Sequence, residues 1–389
     1  MSAIEKNRVL VIEAGGWGGV CHYAYNLLQA LSQEEDLRVS LLTDIDYELE
    51  NLKRDFQLIK VRIKDQAYPK VAYRIVKQIL KARPRLIHLQ SLVSARKDWF
   101  LFVLARLFGF PVIFTAHNVL PHEEEERSAF FVRSAFKIIY HCSRRIIVHT
   151  RYSKEKLAAL FKIDPQKILV IPHGNYLFMR VKEVSRQEAK ENLGLPQDKK
   201  VILQFGAIRP YKGIDALLYA FRRFHSIHQN TLLLIAGPLL QGDEAVYRNL
   251  IRELGLEEGV FFKPQYIPMK DLPLYYFCAD LVVLPYRGVD MSGSLQLAYA
   301  FSKPVIAAKV GGLPEAVEDQ RNGLLVEPDN AGALEEALEK LLFAPDLITR
   351  MGEASFGLAR DKFSWEPIAA QTAGLYRIFC HGRSQQERS

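Results

Sequence analysis

Short apolar runs recur along the whole chain, and between them lie longer stretches whose apolar positions repeat every three or four residues. The short runs read as strands covered on both faces, because a half-exposed strand would alternate apolar with polar residues. In the first half they are Arg8–Ile12, Val39–Thr43, Phe56–Val61, Leu86–Gln90, Val112–Ala116, Arg145–Thr150 and Ile168–Pro172. The periodic stretches between them, Val20–Ser32, Lys70–Arg83, Asp98–Phe108, Arg127–His141 and Ser153–Phe161, read as helices. A second series of strands runs Lys200–Phe205, Thr231–Ala236, Val260–Lys263, Leu281–Pro285, Val305–Ala308 and Gly323–Val326, again with helical stretches between. The polar segment Lys182–Lys200 separates the two series and is expected to be mobile. Strands separated by helical crossovers predict parallel sheets, and two such series predict two Rossmann-like domains. Ligands then belong at the carboxyl ends of the strands, in a cleft between the two halves. The last helical stretch, Trp365 to Phe379, is too far from a new sheet to start one and is expected to return to the first domain.

Composition narrows this only a little. The 389 residues, 49% hydrophobic and 25% charged, fit an ordinary globular protein of two or three domains. No apolar run reaches the eighteen residues of a membrane span. The longest, Trp99–Phe108, is interrupted by Arg106. The N-terminus reads as a strand entering a glycine loop, not as a signal peptide. Cys21, Cys142, Cys278 and Cys380 show no paired spacing, so a reducing cytoplasm is expected. Charge is more informative. Residues 1–175 hold 27 Lys and Arg against 18 Asp and Glu, so the whole positive excess lies in the first half. A basic half suits an anionic membrane surface or an acidic substrate. No nucleic-acid-binding signature accompanies it, so nucleic acid is not an expected partner.

The densest chemistry lies at Asp290-Met291-Ser292-Gly293-Ser294-Leu295, a small-residue loop that opens an apolar helix. Backbone N–H groups at such a helix start favour an anion. Arg209 and Lys212 follow the buried strand Lys200–Phe205 and precede another apolar helix, Ile214–Phe224. Gly15, Gly16, Gly18 and Gly19 follow the first strand, in a pattern that is not the dinucleotide fingerprint. His117 and His173 each sit just beyond a strand, and Glu315 follows the glycine pair Gly311-Gly312. Asp44-Ile45-Asp46 matches a metal-binding DxD pattern but reads better as a surface turn. No metal or cofactor is expected. The run Glu123–Glu126 reads as solvated loop.

Six segments together resemble the family 4 retaining glycosyltransferases. They are Glu13–Gly19, Thr115–Asn118, Ile171–Asn175, Phe205–Gly213, Ala279–Tyr286 and the run Asp290–Ile306 with Val310–Glu315. The resemblance implies the GT-B fold: an acceptor-binding domain over 1–178, a nucleotide-sugar domain over 179–364, and a terminal helix, 365–389, on the first domain. It implies transfer of a sugar, with retention, from a nucleotide-diphosphate sugar to a hydroxyl acceptor. The basic first half makes that acceptor a polysaccharide or lipid-linked glycan at the cytosolic membrane face. By the same resemblance Lys212 binds the donor diphosphate, with Arg209 as a substitute for a cation that family members place at Ala207. Ser292, Gly293, Ser294 and Leu295 offer amides to the donor. His117 contacts the donor sugar, the Gly15–Gly19 loop approaches the phosphates, and Glu315 lies near the donor. The family's two loop glutamates fall at Val289 and Leu297, so both carboxylates are absent. That absence keeps two rivals open: a non-catalytic sugar-nucleotide-binding partner subunit, and an epimerase or hydrolase of the same fold.

Overall fold

A computed structural model of the protein describes residues 7–94, 96–120, 126–180 and 183–386. The chain divides into two compact units, residues 1–174 with 364–389, and residues 175–363.

The first unit is built from β1 (Asn7–Ile12), α1 (Gly18–Leu31), β2 (Leu37–Asp44), β3 (Gln57–Val61), α2 (Tyr68–Ala82), β4 (Leu86–Leu89), α3 (Trp99–Leu107), β5 (Val112–Thr115), α4 (Glu126–Cys142), β6 (Arg145–Val148), α5 (Arg151–Phe161) and β7 (Ile168–Val170). Its seven strands form one parallel sheet in the order β3-β2-β1-β4-β5-β6-β7. Val9 to Ile12, Leu86, Ile87, Val112 to Phe114 and Ile146 to Val148 are buried, as expected of strands with helices on both faces.

The second unit holds α6 (Arg186–Leu193), β8 (Lys200–Phe205), α7 (Ile214–Ile227), β9 (Thr231–Ala236), α8 (Glu244–Glu253), β10 (Val260–Lys263), α9 (Leu272–Cys278), β11 (Leu281–Leu284), α10 (Gly293–Ala300), β12 (Val305–Ala308), β13 (Gly323–Val326), α11 (Ala331–Leu342) and α12 (Pro345–Arg360). Its parallel sheet runs β10-β9-β8-β11-β12-β13. Two apolar clusters fill its faces, one around Leu203, Tyr276 and Tyr299, the other around Ile202, Phe221 and Leu338.

The last helix, α13 (Trp365–Gln386), belongs to the first unit. It packs on α1, where the Trp365 ring meets Tyr23 edge-on at 5.1 Å. Arg377 ties it down through Glu34 and Asp36, each at 2.6 Å. A Cβ at Gly174 would collide with the Trp365 ring, so that position has room only for glycine.

Both strand orders reverse direction once, between β1 and β4 and between β8 and β11. Crossovers leave in opposite directions there, opening a crevice at the strands' carboxyl ends. The candidates after β1, β5, β8 and β11 lie beside these two places, whereas Glu315 follows β12.

Two local expectations need correction, and a third falls largely outside the described residues. The segment Lys182–Lys200 was expected to be mobile, yet it contains α6. Ser185 and Glu188 form a reciprocal capping box at its start, and that pattern is visible in sequence. Asp44 is no surface turn: it is fully buried and accepts N–H bonds from Asp46, Ile63 and Lys64 at 2.7–2.9 Å. Of the acidic run, Glu123 to Glu125 lie outside the described residues, and Glu126 begins α4.

The glycines give a paired test. Gly213 has φ +64°, and a side chain there would run into the Pro285 carbonyl. Gly357 lies inside α12 with nothing within 4 Å of its missing Cβ. Gly213→Ala should destabilise the fold by about 2 kcal/mol or more, whereas Gly357→Ala should stabilise it by about 0.5–1 kcal/mol. Chemical denaturation of both variants checks the sign and the contrast.

Candidate active site

In the second unit the crevice is flanked by the segments after β8 and β11. After β8 the chain makes a short 3-10 turn, Pro210–Lys212, closed by Gly213 in the left-handed region. Arg287 clamps this turn. Its backbone N–H donates to the Tyr211 carbonyl at 2.8 Å and its guanidinium to the Pro210 carbonyl at 2.9 Å. The same guanidinium pairs with Asp215 and Asp329, both at 2.7 Å.

The clamp turns Lys212 inward. Lys212 is only 7% exposed, and its Nζ donates to the Tyr286 hydroxyl at 2.6 Å. No carboxylate lies within ion-pair reach of Lys212 among the described residues. Burial, with Arg209 nearby, pushes the ammonium below its usual range. Taking a cation out of water without a counter-ion is costly, so the place favours an anion from outside.

Around that cation the expected donor residues converge. Ser292 Oγ lies 3.4 Å from the Tyr286 hydroxyl and accepts the Leu295 N–H at 3.3 Å, capping α10. Ser294 Oγ donates to the Phe205 carbonyl at 2.9 Å. Leu295 therefore does not offer its amide outward. Gly293 and Ser294, in the first turn of α10, have no carbonyl partner within the helix by geometry. Gly206, with φ +112°, keeps the space open: a Cβ there would lie 2.7 Å from Ser294 Oγ and 3.9 Å from Lys212 Nζ. Arg209 is half-buried and close enough for its charge to act on Lys212. Glu315 is exposed, and its carbonyl accepts from Lys362 at 3.1 Å. Val289 and Leu297 are buried, and the Val289 carbonyl accepts the Gly312 N–H at 3.1 Å. Gln296, beside Leu297, is buried with its Oε1 lacking a hydrogen-bond partner among the described residues.

In the first unit the glycine loop is already engaged by the protein. Gly15 and Gly16 N–H groups donate to the two Glu13 oxygens, each at 2.8 Å. Thr43 and Ser91 hydroxyls donate to the same carboxylate. Burial is the largest influence on Glu13 and holds its carboxyl above the usual range, against four hydrogen bonds that lower it. Gly18 N–H donates to Glu48 at 2.9 Å, and Glu48 also meets His22 at 3.0 Å. Gly19 follows Gly18 in the first turn of α1. Three of these amides are thus held by internal carboxylates, so the loop's contribution is a rigid backbone surface.

His117 lies just beyond β5, half-buried, and both its ring nitrogens have partners. Nδ1 is 3.0 Å from His149 Nε2, and Nε2 is 3.0 Å from Gln90. His149 Nδ1 donates to the Ile171 carbonyl at 3.0 Å. His173, beyond β7, meets His149 edge-on at 5.3 Å and Tyr23 at a tilt at 5.0 Å. His88 on β4 joins the group through Gln90, with Tyr376 at 2.5 Å and Thr115 at 2.7 Å. Burial pushes His88 and His173 down to about 3 and His149 to about 4.

Residues 185–356 match the model of the glycosyl transferases group 1, and residues 17–175 that of glycosyltransferase family 4. The D-inositol 3-phosphate glycosyltransferase of Corynebacterium glutamicum (strain R) is 30% identical over 308 residues, covering 75% of this chain and 71% of that protein. The chain belongs to this glycosyltransferase family. The like-named protein of Actinosynnema mirum is 31% identical over 310 residues, 75% of this chain and 72% of that protein. Among solved structures, sucrose-phosphate synthase from Thermosynechococcus elongatus superposes with a TM-score of 0.80 at 23% identity, covering 97% of this glycosyltransferase and all of that chain. Anabaena HepE in complex with UDP-glucose gives 0.78 at 18% identity, covering 95% and 99%. The fold is the expected GT-B fold.

Sequence reasoning assigned no role to Tyr286, Glu13, Gln90 or His149. Glu13 and Tyr286 each end an otherwise apolar run, which was a usable signal. So was a histidine just beyond each of three successive strands, β5, β6 and β7.

The buried histidines fix the sign of a pH effect. Their folded pKa values lie below the unfolded value of about 6.5, so below that pH the unfolded chain binds more protons and stability falls. Each neutral histidine loses about 1.4 kcal/mol per pH unit, so His88, His149 and His173 together cost on the order of 4 kcal/mol between pH 7.5 and 5.5. Glu13, held above its usual range, opposes this with a single proton. Thermal unfolding of the glycosyltransferase at the two pH values should show a clear drop in the midpoint at pH 5.5.

Proposed function

We propose that this protein is a metal-independent, retaining glycosyltransferase. It moves a sugar from a nucleotide-diphosphate sugar to a hydroxyl of a polysaccharide or lipid-linked glycan precursor. The observation that carries the reading is Lys212, a buried ammonium whose described hydrogen-bond partner is a neutral phenol. As the sugar C1–O bond breaks, the departing diphosphate gains charge. Lys212, Arg209 and the first amides of α10 stabilise that charge where it develops.

Retention follows from a front-face course. The acceptor oxygen bonds to C1 as the diphosphate leaves from the same face, and the acceptor proton passes to a leaving phosphate oxygen. The reacting carbon is oxocarbenium-like at that moment. The engagement of Glu13 and Asp44 by backbone N–H groups supports a course without a carboxylate nucleophile. His117 and the rigid Gly15–Gly19 loop orient the reactants. A UDP-sugar is the first donor to try, since HepE was solved with UDP-glucose. The basic groove lined by Lys60, Arg62, Lys70, Arg74 and Lys77 supports an acceptor that carries negative charge or sits on an anionic membrane.

Val289 and Leu297 favour a second reading, a sugar-nucleotide-binding subunit without transferase activity, because the family's two loop carboxylates are missing there.

Thermal-shift measurements with UDP, GDP, ADP and their sugars should single out one nucleotide. Ligand at 100 times its Kd adds about 2.7 kcal/mol to stability. With that donor, Lys212→Ala should lower transfer about 100- to 1,000-fold while the variant stays folded. Near-normal transfer by Lys212→Ala would remove the diphosphate role. Donor binding with no product from any acceptor would favour the second reading.

A further inference from the structure

The hydrogen bonds around His117 leave few choices for its protons. The Ile171 carbonyl only accepts, so His149 Nδ1 at 3.0 Å carries the hydrogen. A neutral His149 then has a bare Nε2. His117 Nδ1, 3.0 Å away, must donate to it. That leaves His117 Nε2 bare, facing the Gln90 side-chain amide at 3.0 Å. The structure sets Gln90 Oε1 against this nitrogen and Gln90 Nε2 3.1 Å from His88 Nε2, but a bare nitrogen needs a donor, so the proton order requires the amide turned over, with its NH₂ towards His117 and its oxygen towards His88. His88 then donates from Nε2 towards Thr115 and accepts the Tyr376 hydroxyl at Nδ1. Every group in the chain is satisfied with all three imidazoles neutral.

The groups packed around the chain agree with neutrality. His88 comes from β4, His149 and His173 from beyond β6 and β7, Tyr23 from α1 and Tyr376 from α13. Burial first, and then the neighbouring imidazoles of His149, His173 and His88, push His117 well below the usual histidine range.

We propose that His149 is a positioning residue for sugar transfer: anchored by the Ile171 carbonyl, it fixes His117 in the Nδ1–H tautomer. His117 Nε2 is thereby an acceptor, covered by the Gln90 amide until a substrate hydroxyl takes that place. His117 therefore meets the sugar as a neutral acceptor of an O–H bond, not as an imidazolium. This rests on the reading that His117 faces the reacting sugar.

The test uses the full chain labelled with ring-¹⁵N histidine. In the wild-type protein His117 should resonate as the Nδ1–H tautomer and stay neutral from pH 8 to 5.5. His149→Phe keeps a ring but removes the acceptor. There His117 should shift to the Nε2–H tautomer, with a fall in kcat of about 10-fold or more and little change in donor KM. A wild-type His117 carrying its proton on Nε2, or charged at pH 7, overturns the proposal, and that spectrum needs no variant to fold. So does an unchanged tautomer in folded His149→Phe. A changed tautomer with unchanged kcat overturns it as a statement about transfer, while leaving the Lys212 diphosphate reading intact.

Discussion

A primary amine buried against a phenol, with no carboxylate within ion-pair reach among the described residues, is the constraint on which the second unit's site is built. Lys212 Nζ lies 3.9 Å from the centre of the Tyr286 ring as well as 2.6 Å from its hydroxyl. The ring face and the hydroxyl together hold the cation, but neither neutralises it. The surrounding architecture serves to keep it there. Gly213 turns back under the Pro285 carbonyl, Arg287 grips the turn through the Pro210 and Tyr211 carbonyls, and Gly206 omits the side chain that would fill the space beside Ser294. A cation held this way binds an anion better than a solvated lysine does, because its hydration has already been given up in folding.

The first unit solves a different electrostatic problem. Its strand ends are crowded with titratable groups, yet the local charge is muted. Glu13 and Asp44 are saturated by backbone N–H groups, and the imidazoles are neutral by burial. Ser91 and Gln90, adjacent residues beyond β4, reach the glycine loop and His117 respectively. One strand end thus stiffens both. The result is a preorganised polar surface of donors and acceptors, suited to hydroxyl-rich ligands, beside which a fixed charge would be expensive.

The fold was largely legible because parallel strands buried on both faces leave an unmistakable apolar run. All thirteen strands of the described residues lie within a residue or two of where the pattern put them. What was missed depended on side-chain partners. The helix α6 was passed over because its composition is polar, although Ser185 and Glu188 spell its start. Asp44 read as exposed because aspartates usually are, and nothing local shows that Ile63 and Lys64 donate to it from beyond the neighbouring strand. Lys212, Ser292 and Ser294 could be named from spacing, but Lys212 meets Tyr286 across 74 positions and Ser294 reaches Phe205 across 89. Separations of 22 and 32 positions likewise hid the chain from Ile171 through His149 to His117.

The claim at the centre is that Lys212 is a seat for a diphosphate. Calorimetric titration of the wild-type protein and Lys212→Met with the matched nucleoside and nucleoside diphosphate tests it most directly. The account predicts that the wild type prefers the diphosphate by about 100-fold or more, a few kcal/mol, and that the methionine variant loses most of this preference while keeping its weak nucleoside affinity. An undiminished diphosphate preference in Lys212→Met would contradict it.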